Sequence, residues 1–321
     1  MRLARRWRTA LRLAVLALFL VFVGVLFAEQ WRQVRPLLGR LSVPLLLAAT
    51  AAVCAGHLAT FLSWRALLTD LGARLPFGGG LRVFFLGQLG KYVPGSIWPA
   101  VAHMELGHDY RVPQRVSGAA VGATLLMAVG TGLLAAVLLV PLAGGGGLGR
   151  YWWLVVALPL VALVAAPPVL NRLLGLALRL AHRAELPQPL SLAGALRSVS
   201  WALAAWLCYG LHVWLLARQL GAPDGPRLLL LSTGAFAGAW AVGFLLVIAP
   251  AGAGAREAAL ILLLGPAMSA PQATVVAVVS RLLMTVGDLA WGGAATLTGR
   301  GDRLTRSRSA APPGRRAGRS P

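Results

Sequence analysis

The sequence predicts an all-α, polytopic membrane protein of about eight spans, and three observations carry that prediction. Of 321 residues, 58% are apolar and only 12% charged, with a mean hydropathy of +0.75; soluble domains carry about 25% charge. Apolar runs long enough to cross a ~30 Å hydrocarbon core recur along the chain, separated by arginine clusters. The dyad alternation of an outer-membrane barrel does not recur. The formal charge of +21 does not signal nucleic acid, because the basic residues flank the apolar runs or lie in the tail. There they anchor the chain and meet anionic headgroups.

The first element follows from Met1–Arg12, where five arginines precede the apolar run Leu13–Ala28. Leu26-Phe27-Ala28 lacks a small-x-small cleavage site, so 13–28 is expected to be an uncleaved first span. Further spans are expected at 42–62, 116–141, 151–170, 198–217, 228–249, 255–269 and 272–298. Segment 81–104 is apolar but interrupted by Pro94-Gly95, which reads as a re-entrant hairpin or two half-helices. A second break is expected near 250–266. Arginine counts place the N-terminus, 63–82, 171–197 and the tail in the cytoplasm, so both termini are expected on that side of the inner membrane. Arg32, Arg35 and Arg40 oppose this, and parity then requires 255–269 to cross and 81–104 not to. Segment 171–185 sets Leu173, Leu176 and Leu180 against Arg172, Arg179 and Arg183, as an interfacial helix does. Residues 1–299 are expected to form one transmembrane domain and 300–321 a disordered, arginine-rich cytoplasmic tail.

The ionisable groups at membrane depth are the functional candidates, since each is costly to bury. Lys91 is the single lysine among 30 basic residues, and it stands beside Tyr92 and the helix-breaking Pro94-Gly95. A compact ammonium there differs in kind from the arginines used everywhere else. Ser96 is placed to cap a half-helix starting at Ile97. Pro250, Gly252 and Gly254 are expected to break the chain before a helix that begins near Ala255, with Arg256 and Glu257 in its first turn, a geometry suited to phosphate. Arg281 and Asp288 lie two turns apart on one helical face, about 10.5 Å along the axis, so each is expected to pair with another helix. Lys91, Arg256 and Arg281 against Glu257 and Asp288 leave one surplus positive charge, which suits an anion such as a phosphodiester. The alternative is that these five groups only lock helix packing.

Other polar residues carry less. His103-Met104-Glu105-Leu106-Gly107-His108-Asp109 departs from zinc-protease spacing, so no metal or cofactor is expected. His57 and His212 read as isolated core or headgroup contacts, Trp98 as an anchor or packing residue, and Cys54 and Cys208 as small buried residues. No nucleophile–base or paired-carboxylate arrangement is recoverable, so an enzyme is not expected.

Gly90-Lys91-Tyr92-Val93-Pro94-Gly95-Ser96-Ile97-Trp98, the stretch from Gly107 to Arg115, Ala249–Ala258 and Ser280-Arg281 with Asp288 resemble the flippase-like transmembrane family. That family is also called the lysylphosphatidylglycerol synthase transmembrane region. Its usual Gly-x-Gly-Val-Arg-Glu element carries Ala255 here in place of valine. The resemblance extends through Thr298 and implies translocation of a phospholipid or lipid-linked sugar between leaflets. In founding members an aminoacyl-transferase domain follows; here the arginine-rich tail follows, so synthase activity is not carried over. Lys91 and Arg256 are expected to grip the headgroup, Glu257 to hold Arg256, and Arg281 with Asp288 to complete the polar path. The expected partner is an anionic lipid; the rival reading is a non-transporting partner or regulator of a cell-envelope lipid or glycan enzyme.

Overall fold

The computed structural model describes residues 35–92, 98–143, 166–245 and 254–309, and among them every regular element is helical. In chain order these are α1 (Val43–Asp70), α2 (Phe77–Gln88), a 3-10 turn (Leu89–Tyr92), α3 (Trp98–His108), α4 (Gln114–Ala143), α5 (Pro167–Leu180), α6 (Leu192–Gln219), α7 (Pro226–Leu245), α8 (Ala255–Leu264) and α9 (Ala270–Ser309). Five stretches are long and apolar enough to cross a membrane: α1, α4, α6, α7 and 270–297 of α9. They match the expected spans at 42–62, 116–141, 198–217, 228–249 and 272–298, mostly with longer ends. The protein is therefore a multi-pass helical membrane protein. The expected span 13–28, most of 151–170, and Pro94, Gly95, Ser96, Pro250 and Gly252 lie outside the described residues.

Local chemistry sets the helix ends. A proline in the first turn starts α1, and Gly72, at φ 96°, follows its C-terminus. Ser191 caps α6 by accepting the Gly194 N–H at 3.0 Å, while its own N–H and hydroxyl donate to the Asp70 carboxylate at 2.7 Å. That cluster ties the end of α1 to the start of α6. At the other end of the same pair, the Ser42 N–H donates to Gln219 at 3.2 Å, so α1 and α6 run antiparallel along their whole length.

Two apolar clusters define the ends of the bundle. One gathers the first half of α1, the second half of α6, α7, α8 and the start of α9, around Val213, Leu216, Phe236 and Val276. The other gathers the second half of α1, α2, the first half of α4, α5 and Ala295, around Phe61, Trp64, Phe85 and Leu170. Arg65, Arg74, Arg82, Arg172, Arg179, Arg183 and Arg197 all belong to segments at this second, basic end. Because α1 ends and α4 begins in the second cluster, the chain from α2 to α3 enters and returns at the basic end. Helix α8 does the converse: it runs from Gly254 back toward Met268 and the opposite end, packed on α7.

Two expectations change. Segment 255–269 is not a full crossing helix, since α8 has ten residues, about 15 Å of axis, half of what a bilayer needs. The last helix does not stop at 299 but continues to Ser309, into the tail whose composition reads as disordered. The amphipathic segment forms as expected in α5, with Leu170 and Leu174 buried and Leu173, Leu176 and Leu180 exposed.

Candidate functional site

Asp288 is the centre of the polar interior. It sits on α9 with only 4% of its side chain exposed and meets three polar partners. Lys91 Nζ and the Tyr92 hydroxyl both reach Oδ2 at 2.6 Å, and His57 Nε2 lies 2.9 Å from Oδ1. A carboxylate this deep is tolerated only when paired and hydrogen-bonded. His57 comes from α1; its Nδ1 lies 2.8 Å from the Val53 carbonyl, and its ring meets Tyr209 of α6 edge-on at 5.7 Å. Close approach of α1 and α9 needs Gly287, where a Cβ would lie 2.9 Å from Val53. One turn on, the Trp291 indole donates to the Cys54 carbonyl at 3.0 Å and stacks on Phe85 at 4.8 Å.

Lys91 reaches Asp288 because α2 gives way to the 3-10 turn just before the expected break, and α3 restarts at Trp98. The two arms touch at Gly90, where a Cβ would come within 2.9 Å of the Trp98–Pro99 backbone. Only glycine allows that approach. Unlike Asp288, the Lys91 side chain is 30% exposed among the described residues.

The second group forms at the start of α8. Gly254 adopts φ 88°, open to glycine and strained for other residues, and its N–H donates to Glu257 Oε2 at 2.6 Å. Glu257 Oε1 accepts from Arg281 of α9 at 3.3 Å. The Arg256 guanidinium lies 4.7 Å over the ring of Phe236, itself fully buried, in a cation–π contact. Among the described residues no acceptor hydrogen-bonds to Arg256. A crevice lined by Arg256, Glu257, Leu260, Ala277, Ser280 and Arg281 runs alongside, too narrow here for a water molecule. Lys91 lies within electrostatic range of Arg256, Arg281 and Asp288, so the two groups form one charged region at mid-bundle.

The structure brings six of the sequence-identified residues together: Lys91, Tyr92 and Asp288 around one carboxylate, Arg256, Glu257 and Arg281 around the α8 start. Ser96 lies outside the described residues. The expected pairing of Glu257 with Arg256 is corrected: adjacent side chains on a helix diverge, and Glu257 spans to Arg281 instead. His57, read as isolated, is a full member of the Asp288 cluster. The signal was present, since a histidine in mid-span is a buried ionisable group as much as a lysine is. His212 likewise is bonded, to Ser280 Oγ at 2.8 Å. His103 lies elsewhere, buried against Trp64 and Phe84 with Nδ1 on the Pro99 carbonyl at 2.7 Å.

The family model described as lysylphosphatidylglycerol synthase TM region matches residues 9–292. No curated protein matches the chain. The protein belongs to the lysylphosphatidylglycerol synthase TM region family.

Proposed function

We propose that this protein moves an anionic lipid, a phospholipid or lipid-linked sugar, between the leaflets of the bacterial inner membrane, without catalysing a reaction on it. The observation that carries the reading is Arg256: a guanidinium at the start of a half-helix inside the bundle, hydrogen-bonded to no acceptor among the described residues and within electrostatic range of a second cation, Lys91. A packing lock would use its charge in an ion pair, as Arg281 does with Glu257. The first N–H groups of α8 add donors that lack intrahelical partners. A headgroup phosphate placed between Lys91 and Arg256 would meet a point charge, a planar fork and a helix end together. Acyl chains stay in the bilayer while the polar head passes through the charged region.

The test is leaflet exchange of a fluorescent phosphatidylglycerol in proteoliposomes. Lys91→Ala and Arg256→Ala are each expected to slow exchange by about tenfold or more, as loss of a charge-assisted hydrogen bond worth roughly 1.5–3 kcal/mol requires. Exchange at the wild-type rate by both variants, with folded protein, removes the proposal. Loss of exchange accompanied by collapse of the melting temperature in both would instead support a structural partner of an envelope enzyme.

A further inference from the structure

We propose that His57 and Asp288 form a proton-binding site that decides when Lys91 is free to take an anionic headgroup, so that transfer is coupled to protons. This rests on the headgroup reading above and adds a coupled ion to it.

The argument starts from what the two ring nitrogens face. His57 Nδ1 lies 2.8 Å from the Val53 carbonyl oxygen, and Nε2 lies 2.9 Å from Asp288 Oδ1. A carbonyl and a carboxylate oxygen only accept, and a neutral imidazole has one N–H to give. Both contacts are satisfied together only if one further proton lies on the line between Nε2 and Oδ1, carried by either atom. Among the described residues no other donor supplies it. Lys91 and Tyr92 both donate to Oδ2, on the other side of the carboxylate. Tyr209 of α6 meets the imidazole with its ring edge, and its hydroxyl lies 3.0 Å from Thr60. Farther out, His212 of α6 lies within electrostatic range of His57, as Arg256 of α8 and Arg281 of α9 do of Lys91.

Charge then links the proton to Lys91. Without the extra proton, Lys91 is the one cationic contact of Asp288 among the described residues, and moving the ammonium away strands a carboxylate that is 4% exposed. With the proton in place, imidazolium or carboxylic acid satisfies Asp288, and Lys91 can leave. The proton balance is complete: water supplies one proton to the Nε2–Oδ1 line, and Lys91 keeps its three protons as it moves to the phosphate. When the headgroup departs, Lys91 returns to Oδ2, and its positive charge favours release of that proton to water. The structure corresponds to the proton-loaded cluster with Lys91 docked. By reciprocity, a headgroup on Lys91 must raise the proton affinity of His57–Asp288 by the factor by which the proton raises headgroup affinity. A phosphodiester does not titrate near neutrality, so the proton belongs to the protein.

The experiment measures binding of short-chain phosphatidylglycerol to the purified full-length protein between about pH 5 and 8, where a histidine changes charge. Proton uptake on lipid addition is followed with a dye in weak buffer. Wild-type affinity is expected to rise as pH falls, by at most about tenfold per unit for one linked proton, with protons drawn from solution. His57→Gln, which cannot hold the proton, is expected to flatten the dependence to less than about twofold over that range. Should it not fold, Asp288→Asn is read in the same way, and proton uptake by the unmodified protein needs no variant. Binding independent of pH, absence of proton uptake, or a retained slope in His57→Gln overturns the coupling while leaving the headgroup site intact. Unchanged binding by Lys91→Ala overturns the headgroup reading, and the coupling with it.

Discussion

Asp288 and Arg256 are both charged and both inside the bundle, yet the same truncation should affect them differently. Asp288 holds three polar partners at 2.6–2.9 Å, so Asp288→Ala strands Lys91 and should cost about 3–5 kcal/mol, the usual penalty for breaking a buried pair from one side. Arg256→Ala removes a cation–π contact with Phe236, worth roughly 0.5–2 kcal/mol, and no ion pair among the described residues. A denaturant or thermal melt in detergent should separate them, with Asp288→Ala much the less stable. Equal losses would mean that Arg256 has a structural partner and would weaken its assignment to substrate. The sequence made five members of this site legible because lysine, arginine and acidic side chains at membrane depth are conspicuous in an apolar background. Pairings were not legible: whether Glu257 faces Arg256 or Arg281 depends on how α8 meets α9, a tertiary fact. His57 was passed over because a histidine carries no formal charge in a sequence count.

At the scale of the element, each half-helix depends on one glycine. Gly254 opens α8 at φ 88°, and Gly254→Ala should cost about 1–2 kcal/mol of backbone strain and loosen the Glu257 cap that orients Arg256. Gly90 has a different role: its Cβ would meet backbone of the opposite arm at 2.9 Å, and backbone cannot swing aside as a side chain can. Gly90→Ala should therefore splay α2 from α3, lower stability by about 1–3 kcal/mol, and draw Lys91 away from Asp288. Melting curves of Gly90→Ala and of Gly90→Ala combined with Lys91→Ala check this, because a severed ion pair makes the second change cost less in that background than alone. The start of α8 is readable from Gly254, since glycine acts locally, while Pro94, Gly95, Pro250 and Gly252 lie outside the described residues. The length of α8 was less readable: hydropathy stays high through 255–269, so composition alone extends a helix that the structure ends at Leu264. The same limit applies at the C-terminus, where arginine and serine in the sequence suggest disorder but the backbone continues α9 to Ser309.

For the molecule as a whole, the proposed function makes the direction of the two broken elements decide how a headgroup would cross. The α2–α3 hairpin enters from the basic end and carries Lys91 to its tip, whereas α8 starts at mid-bundle with Arg256 and runs to the opposite end. Two discontinuous elements that enter from opposite ends, each pairing a charged residue with α9, resemble the arrangement that in transporters lets one central site face either side in turn. Charge predicts which end faces the cytoplasm: Arg65, Arg74, Arg82, Arg172, Arg179, Arg183 and Arg197 lie in segments at the basic end, and cytoplasmic flanks carry the excess of basic residues. At the opposite end Arg35, Arg40 and Arg227 count against this, while Arg218 is offset by Asp224 at 3.3 Å and packed on Trp214 at 4.8 Å. Glu185 and Asp224 are exposed on loops at the two ends. With Cys54 and Cys208 replaced by serine, Asp224→Cys should react in intact cells with a membrane-impermeant maleimide, and Glu185→Cys should react only after permeabilisation. The reverse pattern would put the Lys91 hairpin on the outside and require the headgroup to meet Arg256 first from the cytoplasm, inverting the order of the two cations along the path. Labelling of both from outside would contradict the antiparallel run of α1 and α6 that defines the two ends.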